Sequence, residues 1–428
     1  MTDSPNAPRP RRLIVTLPYV LLLLSACENQ RGMGPLDQAM HPAPSVDDAL
    51  VALGEVLFFD KILSGNRDIA CATCHLPSRG TDDDRALPRG VGGIGLGAER
   101  SGGEIIPRNS PALFNLHEYE TMFWDSRVEL RNGGISTPAG QLPADMEQVM
   151  EFGVVSAQAL FPVTSRSEMR GESGDNDLAA FADDDFEGIW AALMQRLSEV
   201  PTYVAMFEAA YPGVDFASMT FAHAANALAG YEVRAFEMVD TPFQRFLAGD
   251  ANALSPAAQQ GRQAFIRARC NECHSGPLLS DFRHHNTGLA QFGPGHGDGA
   301  GRDDFGRERV TGNPDDRYKF RTTPLINLRQ TGPYGHAGQY ASLELFVEHY
   351  HNADEELRDY QIDENVDDEE LWGTLLDNRE AVLQTLDADV RRTPRLNAAA
   401  IVAFLNEASA ANSTLTSPAE VPSGLSVD

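Results

Sequence analysis

Cys71-Ala72-Thr73-Cys74-His75 and Cys270-Asn271-Glu272-Cys273-His274 decide how this chain is read. Two thiols spaced C-x-x-C can each add to a vinyl group of one haem, and the histidine directly after them then reaches the iron. C-x-x-C-H is the signature of c-type haem attachment. Five cysteines and eleven histidines in 428 residues would give roughly 0.0015 such matches by chance. Zinc is the rival reading. It would need both cysteine pairs to converge on one metal, and it leaves the two following histidines unexplained. The residues therefore predict two covalent haems, with His75 and His274 as iron ligands.

The fifth cysteine belongs to a different signal. Arg9, Arg11 and Arg12 precede an apolar run, Leu13 to Leu24, that Pro18 interrupts. The run is too short to span a bilayer comfortably. It ends in Leu24-Ser25-Ala26-Cys27, which resembles the lipobox of bacterial lipoproteins, where the cysteine is lipidated and becomes the mature N-terminus. The expectation is a signal segment over 1–27, lipidation at Cys27, and a periplasmic protein anchored to a membrane. A plain signal peptide would also carry the chain out of the cytoplasm. No cysteine is left for a disulfide, although the compartment would permit one.

Acidic residues outnumber basic ones by 62 to 34, for a formal net charge of −28. Phosphate binding needs a basic face, so nucleic acid is excluded as a partner. The acidity is compatible with a basic protein partner, but solubility explains it more simply. The runs Asp183-Asp184-Asp185 and Asp367 to Glu370 carry the same two readings, with a solvated face favoured.

Helical periodicity dominates, and convincing strands are scarce. Residues 28–44 are Pro-, Gly- and polar-rich and read as a tether. From Ser45 the pattern turns helical, with Leu50, Leu53, Val56 and Leu57 on one face. Thr220 to Phe236 reads as a second helix. Ser255-Pro256 opens another, since serine caps well and proline suits the first helical position. Leu396 to Ala408 reads as a closing helix. Gly54-Glu55-Val56-Leu57-Phe58 precedes the first haem motif much as Gly261-Arg262-Gln263-Ala264-Phe265 precedes the second. This weak repeat suggests two related haem domains. The expected class is mainly α, with two cytochrome c-like haem domains over 45–250 and 251–411, and 412–428 a disordered tail.

The sixth iron ligand decides the chemistry, since an iron with two strong protein ligands shuttles electrons and an open one binds peroxide or oxygen. All eleven methionines lie at or before Met238, so a His/Met haem is not expected in the second haem domain. Histidines or a tyrosine remain.

From about Leu53 to about Asn406 the chain resembles the bacterial di-haem cytochrome c peroxidase and MauG family. The landmarks are Leu57-Phe58-Phe59-Asp60, Arg108-Asn109-Ser110-Pro111, Phe123-Trp124-Asp125, Glu168-Met169, Phe246-Leu247-Ala248-Gly249-Asp250 and Gly332-Pro333-Tyr334-Gly335-His336. The resemblance implies that the His75 haem is peroxidatic. It makes Glu168 the group that takes a proton from hydrogen peroxide and returns it to the departing oxygen. It makes Trp124 the carrier of electrons between the haems. It also implies a calcium ion between them, with Asn109 giving a side-chain oxygen and Thr331 and Pro333 backbone carbonyls. In the MauG branch a tyrosine supplies the sixth bond to the second haem, and the matching position here is Tyr350, with His349 and His351 as alternatives. Many classical members block the peroxidatic haem with a loop histidine. No histidine lies between His75 and His117 here, so that haem is expected to be open, again as in the MauG branch. Extra sequence between Trp124 and Glu168 leaves the placement of Glu168 for the structure to test. The leading expectation is a peroxidase fed by a small cytochrome c or a cupredoxin. The alternatives are a MauG-like enzyme oxidising tryptophan or other side chains of a partner protein, and a plain di-haem electron carrier.

Overall fold

A computed structural model of the chain describes Met1 and residues 36–298, 301–409 and 416–428. Cys27 and the rest of the expected signal segment lie outside the described residues. No helix among the described residues is long and apolar enough to cross a membrane.

Met33–Asp428 form one compact unit. It is mainly helical, with small sheets of two, three and two strands, all antiparallel among the described residues. The helix Asp48–Phe59 is capped by Asp47, whose carboxylate accepts from Ala49 N and Leu50 N. The cap is thus two residues beyond Ser45. Leu50, Leu53, Leu57 and Phe58 are buried on it. It packs against Phe221–Ala235, a helix buried on every side from Phe221 to Val233. Such a helix tolerates small residues all round because other helices cover it.

The repeated glycine acquires a physical meaning here. A Cβ on Gly54 would lie 1.9 Å from the carbonyl oxygen of Ala227, and one on Gly261 would lie 2.0 Å from that of Ala400. Each glycine is the point of closest approach between a helix that leads into a haem motif and the helix packed across it. The second pair is Pro256–Arg267, capped by Ser255, and Ala398–Glu407, capped by Asn397. Phe58 meets Tyr231 and Phe236 in the first pair, and Phe265 meets Phe404 in the second.

Two expectations are corrected. The expected tether is docked over residues 36–44: Leu36 and Met40 are buried, and Met40 N and Ala43 N donate to the side chains of Gln244 and Glu237. The expected disordered tail is ordered over residues 416–428. Val421 is buried, Leu425 and Val427 pack on the same apolar core as Leu57, and the Ser423 hydroxyl donates to Asp60 (2.7 Å). In both segments a few apolar residues among many polar ones find a groove, which composition averages away.

Candidate active site

Cys71 and Cys74 stand on a single helical turn, Cys71–Cys74, so both sulfurs face one cavity. His75 lines it too. Its Nδ1 lies 3.0 Å from the Thr81 carbonyl oxygen. A carbonyl only accepts, so Nδ1 carries the proton and Nε2 is left bare. The second motif repeats the device: His274 Nδ1 lies 3.0 Å from the Leu279 carbonyl oxygen. Burial holds both rings down to about 4, so each is the neutral imidazole that a metal requires. None of the four cysteines is in a disulfide, and burial pushes the Cys71 and Cys270 thiols up to about 12. Thiols held neutral beside bare imidazoles fit two thioether-linked haems.

Glu168 lines the same cavity as Cys71, Cys74 and His75. It sits on one π-helical turn, Arg166–Arg170, a geometry common at functional positions. Two glycines clamp that turn. Gly65 N donates to Met169 O (2.7 Å), and Val91 N, beside Gly90, donates to Glu168 O (3.0 Å). A Cβ on Gly65 would meet Arg170 O at 2.0 Å, and one on Gly90 would meet Ser167 O at 1.8 Å. Burial raises the Glu168 carboxyl, while Arg127 and Arg108 oppose the shift. The side chain is thus a carboxyl tuned upward inside a cavity, as general acid–base work needs.

Around it lies a charge network. Arg108 donates from Nη1 to Asp125 (2.7 Å) and from Nε and Nη2 to Asp304 (2.7 and 2.9 Å). All three are buried. The guanidinium holds both carboxylates well below the usual range despite their burial. Arg127 bonds Asp125 at 3.2 Å, sits 3.5 Å over the Phe123 ring, and points into the Glu168 cavity.

Trp124 lines this cavity and the neighbouring one. Its indole N–H donates to Asn109 O (2.9 Å), and its ring stands edge-on to His336 at 6.4 Å.

The neighbouring cavity gathers Cys270, Cys273, His274 and Tyr350. Tyr350 caps the C-terminus of the helix Leu343–His349. The alternatives to it face elsewhere. His349 is buried with Nδ1 on the Tyr340 hydroxyl (3.0 Å) and Nε2 on Thr287 O (2.8 Å). His351 is exposed. His285 also lines the cavity, but its Nδ1 is bound to Asp387 (2.7 Å), and the carboxylates of Asp281 and Asp387 lift it to about 11 against the cost of burial. Burial raises the Tyr350 phenol as well, so only a cation opposite it would ionise it.

Asn109, Thr331 and Pro333 line one wall of this second cavity. The Asn109 amide nitrogen is committed to Arg85 O (2.9 Å), which leaves its oxygen as the atom to offer. Oxygen donors alone suit a hard cation.

Sequence reasoning missed Arg127, the pairing of Arg108 with Asp125 and Asp304, Glu232 and His296. Arg108 and Asp125 were within quoted landmarks, but nothing in the sequence joined them. Glu232 lines the first cavity, with Oε2 buried and unpaired. A carboxylate four residues after Leu228, on the inward face of a helix, was the signal available. The acidic runs are partly spent internally. Asp183 takes Arg166 and Arg170, and Asp368 takes Arg85 (2.5 Å) and Arg89 (3.3 Å).

A family model described as di-haem cytochrome c peroxidase matches residues 48–252. Cytochrome-c peroxidase IdrP1 of Denitromonas iodatirespirans is 32% identical over 343 residues, covering 74% of this chain and 77% of that protein. Methylamine utilization protein MauG of Methylorubrum extorquens is 31% identical over 312 residues, covering 72% and 71%. The crystal structure of a MauG-like protein associated with microbial copper homeostasis superposes with a TM-score of 0.60 at 23% identity, over 86% of this chain and 93% of that one, a likeness of fold. With paired haem-attachment motifs in two adjoining cavities and relatives aligned over most of their length, the chain belongs to the di-haem cytochrome c peroxidase and MauG family.

Proposed function

We propose that the chain reduces hydrogen peroxide to water in the Glu168 cavity, with electrons from an external donor such as a small cytochrome c or a cupredoxin. One observation carries this reading: Glu168 is held by a glycine-clamped turn in the same cavity as Cys71, Cys74 and His75. When bound, the haem there supplies the redox chemistry that breaks the O–O bond. Glu168 takes the proton from one peroxide oxygen and returns it to the other as it departs. Arg127 offers positive charge where negative charge develops. Trp124 spans the gap between the cavities that an electron crosses. The two halves of the chain then act as cytochrome c-like domains, 45–250 peroxidatic and 251–411 electron-transferring. A calcium ion at Asn109, Thr331 and Pro333, lipidation of Cys27 and a periplasmic, membrane-anchored location complete the proposal.

Tyr350 favours a second reading. A phenol in the cavity of His274 is in keeping with a MauG-like second site, and the substrate is then a tryptophan or another side chain of a partner protein. Electron paramagnetic resonance of the resting ferric holoprotein tests the ligation. A high-spin signal beside a low-spin signal that Tyr350→Phe abolishes is expected. Two low-spin signals untouched by the substitution refute it and favour the electron carrier. Peroxide turnover should fall about 10²- to 10⁴-fold in Glu168→Gln; an unchanged rate removes Glu168 from the chemistry.

A further inference from the structure

The Glu168 cavity receives one histidine from the far half of the chain. His296 lines it together with Arg108, Arg127 and Glu168. Its Nε2 is buried and makes no hydrogen bond. The nearest carboxylate oxygen, on Asp304, is 3.8 Å away and is already bound by Arg108. A buried ring nitrogen without a partner is costly unless a water or a substrate satisfies it. The side chain as a whole is 24% exposed while Nε2 is closed off, so one residue has both an accessible part and a shielded nitrogen. Its backbone is fixed: His296 N donates to Asp303 O (3.4 Å), and His296 O accepts from Arg309 (3.4 Å), which in turn holds Asp298 (2.6 Å). Gly295 allows the approach, with φ +58° and a Cβ position only 1.7 Å from Arg302 O.

We propose that His296 is the proton inlet of this cavity, passing protons between solvent and the Glu168 side. The proposal rests on the peroxide reading above. Reduction of one H₂O₂ to two H₂O consumes two electrons, which the external donor supplies, and two protons. Glu168 only moves a proton that the peroxide already carries. The other two must enter from outside. A proton is taken from solvent at one ring nitrogen while another leaves the opposite nitrogen into the cavity. The ring stays neutral throughout and recovers its first tautomer by rotating. Its surroundings suit a neutral relay: Arg108, Arg309 and Arg127 act on it against Asp304 and Asp125. Burial and then Arg108 hold its pKa down to about 4, so the ring is uncharged at neutral pH.

Cyanide binding to the ferric holoprotein tests this without turnover. Cyanide enters as hydrocyanic acid and must release its proton from the cavity, so its association rate reports proton traffic. We expect His296→Gln to slow association about tenfold or more at pH 7, with haem content and melting temperature unchanged, and His296→Asn to do the same should the first variant fold poorly. Association within about twofold of the parent rate overturns the inlet, whatever else the variants do. Glu168→Gln separates the two readings: if it slows cyanide and His296→Gln does not, the inlet alone falls, and if neither does, the peroxide reading falls with it. A low-spin resting iron that becomes high-spin in His296→Gln also overturns the proposal, by making His296 a ligand.

Discussion

Gly90→Ala tests whether the backbone, and not only the carboxylate, builds the site. The new Cβ would lie 1.8 Å from Ser167 O and 3.0 Å from Glu168 O, below the 3.0 Å floor that real Cβ contacts respect in the first case. One side must therefore retreat by about 1.2 Å, the difference between those distances. The Gly90 side is braced. Its N–H donates to Glu104 O (2.8 Å) and its carbonyl accepts from Arg100 (2.8 Å). The turn that carries Glu168 gives way instead. A displacement near 1 Å costs on the order of 10²-fold in a positioned reaction, while overpacking of this kind costs about 1–3 kcal/mol of stability. Peroxide consumption, haem absorbance and urea unfolding should be measured together, with Gly373→Ala as control because its Cβ would meet nothing within 4 Å. We expect turnover to fall about a hundredfold with both haems retained. Full haem content with turnover within about threefold of the parent would refute the argument that the clamp sets the position of Glu168.

Arg108→Leu should destabilise the protein by about 3–5 kcal/mol in urea unfolding, because it takes the guanidinium from the buried carboxylate of Asp304 and leaves buried Asp125 with Arg127 alone. His336 is stacked on Phe320 at 3.7 Å, and burial holds it down to about 3 from an ordinary value of 6.5. Between those values the unfolded chain binds the proton and the folded chain does not, so stability falls as pH drops from about 6.5 towards 3. His336→Phe should lose less stability than the parent between pH 7 and pH 4 in thermal melts. Truncation before Ser417 removes the burial of Val421 and the bond from Thr73 to Asp428 (2.5 Å), and should cost about 2–4 kcal/mol in urea unfolding.

Much of the site was legible because its chemistry is local. A C-x-x-C-H run places two thiols and an imidazole on one turn whatever the rest of the chain does, and capping residues such as Ser255 act within a few positions. The missed residues share the opposite property. Arg108 and Asp304 are 196 positions apart, and His296 reaches the first cavity from the half that carries the second haem motif. The docked segments 36–44 and 416–428 escaped notice because their few apolar residues gain meaning only from the surface that receives them.

The sequence by itself determined the two haem-attachment motifs, the predominance of helix, the absence of methionine after Met238 and the family. Those follow from residue type and short-range spacing. Only the tertiary structure decided which groups share a cavity. It put Tyr350, and not His349 or His351, on the lining of the cavity that holds His274. It also joined Arg108 to two buried carboxylates and made Gly54 and Gly261 the crossing points of two helix pairs. Each of these is a contact between segments far apart in the chain, set by how close two backbones can approach and by where a buried charge finds its partner, and neither is written in any local stretch.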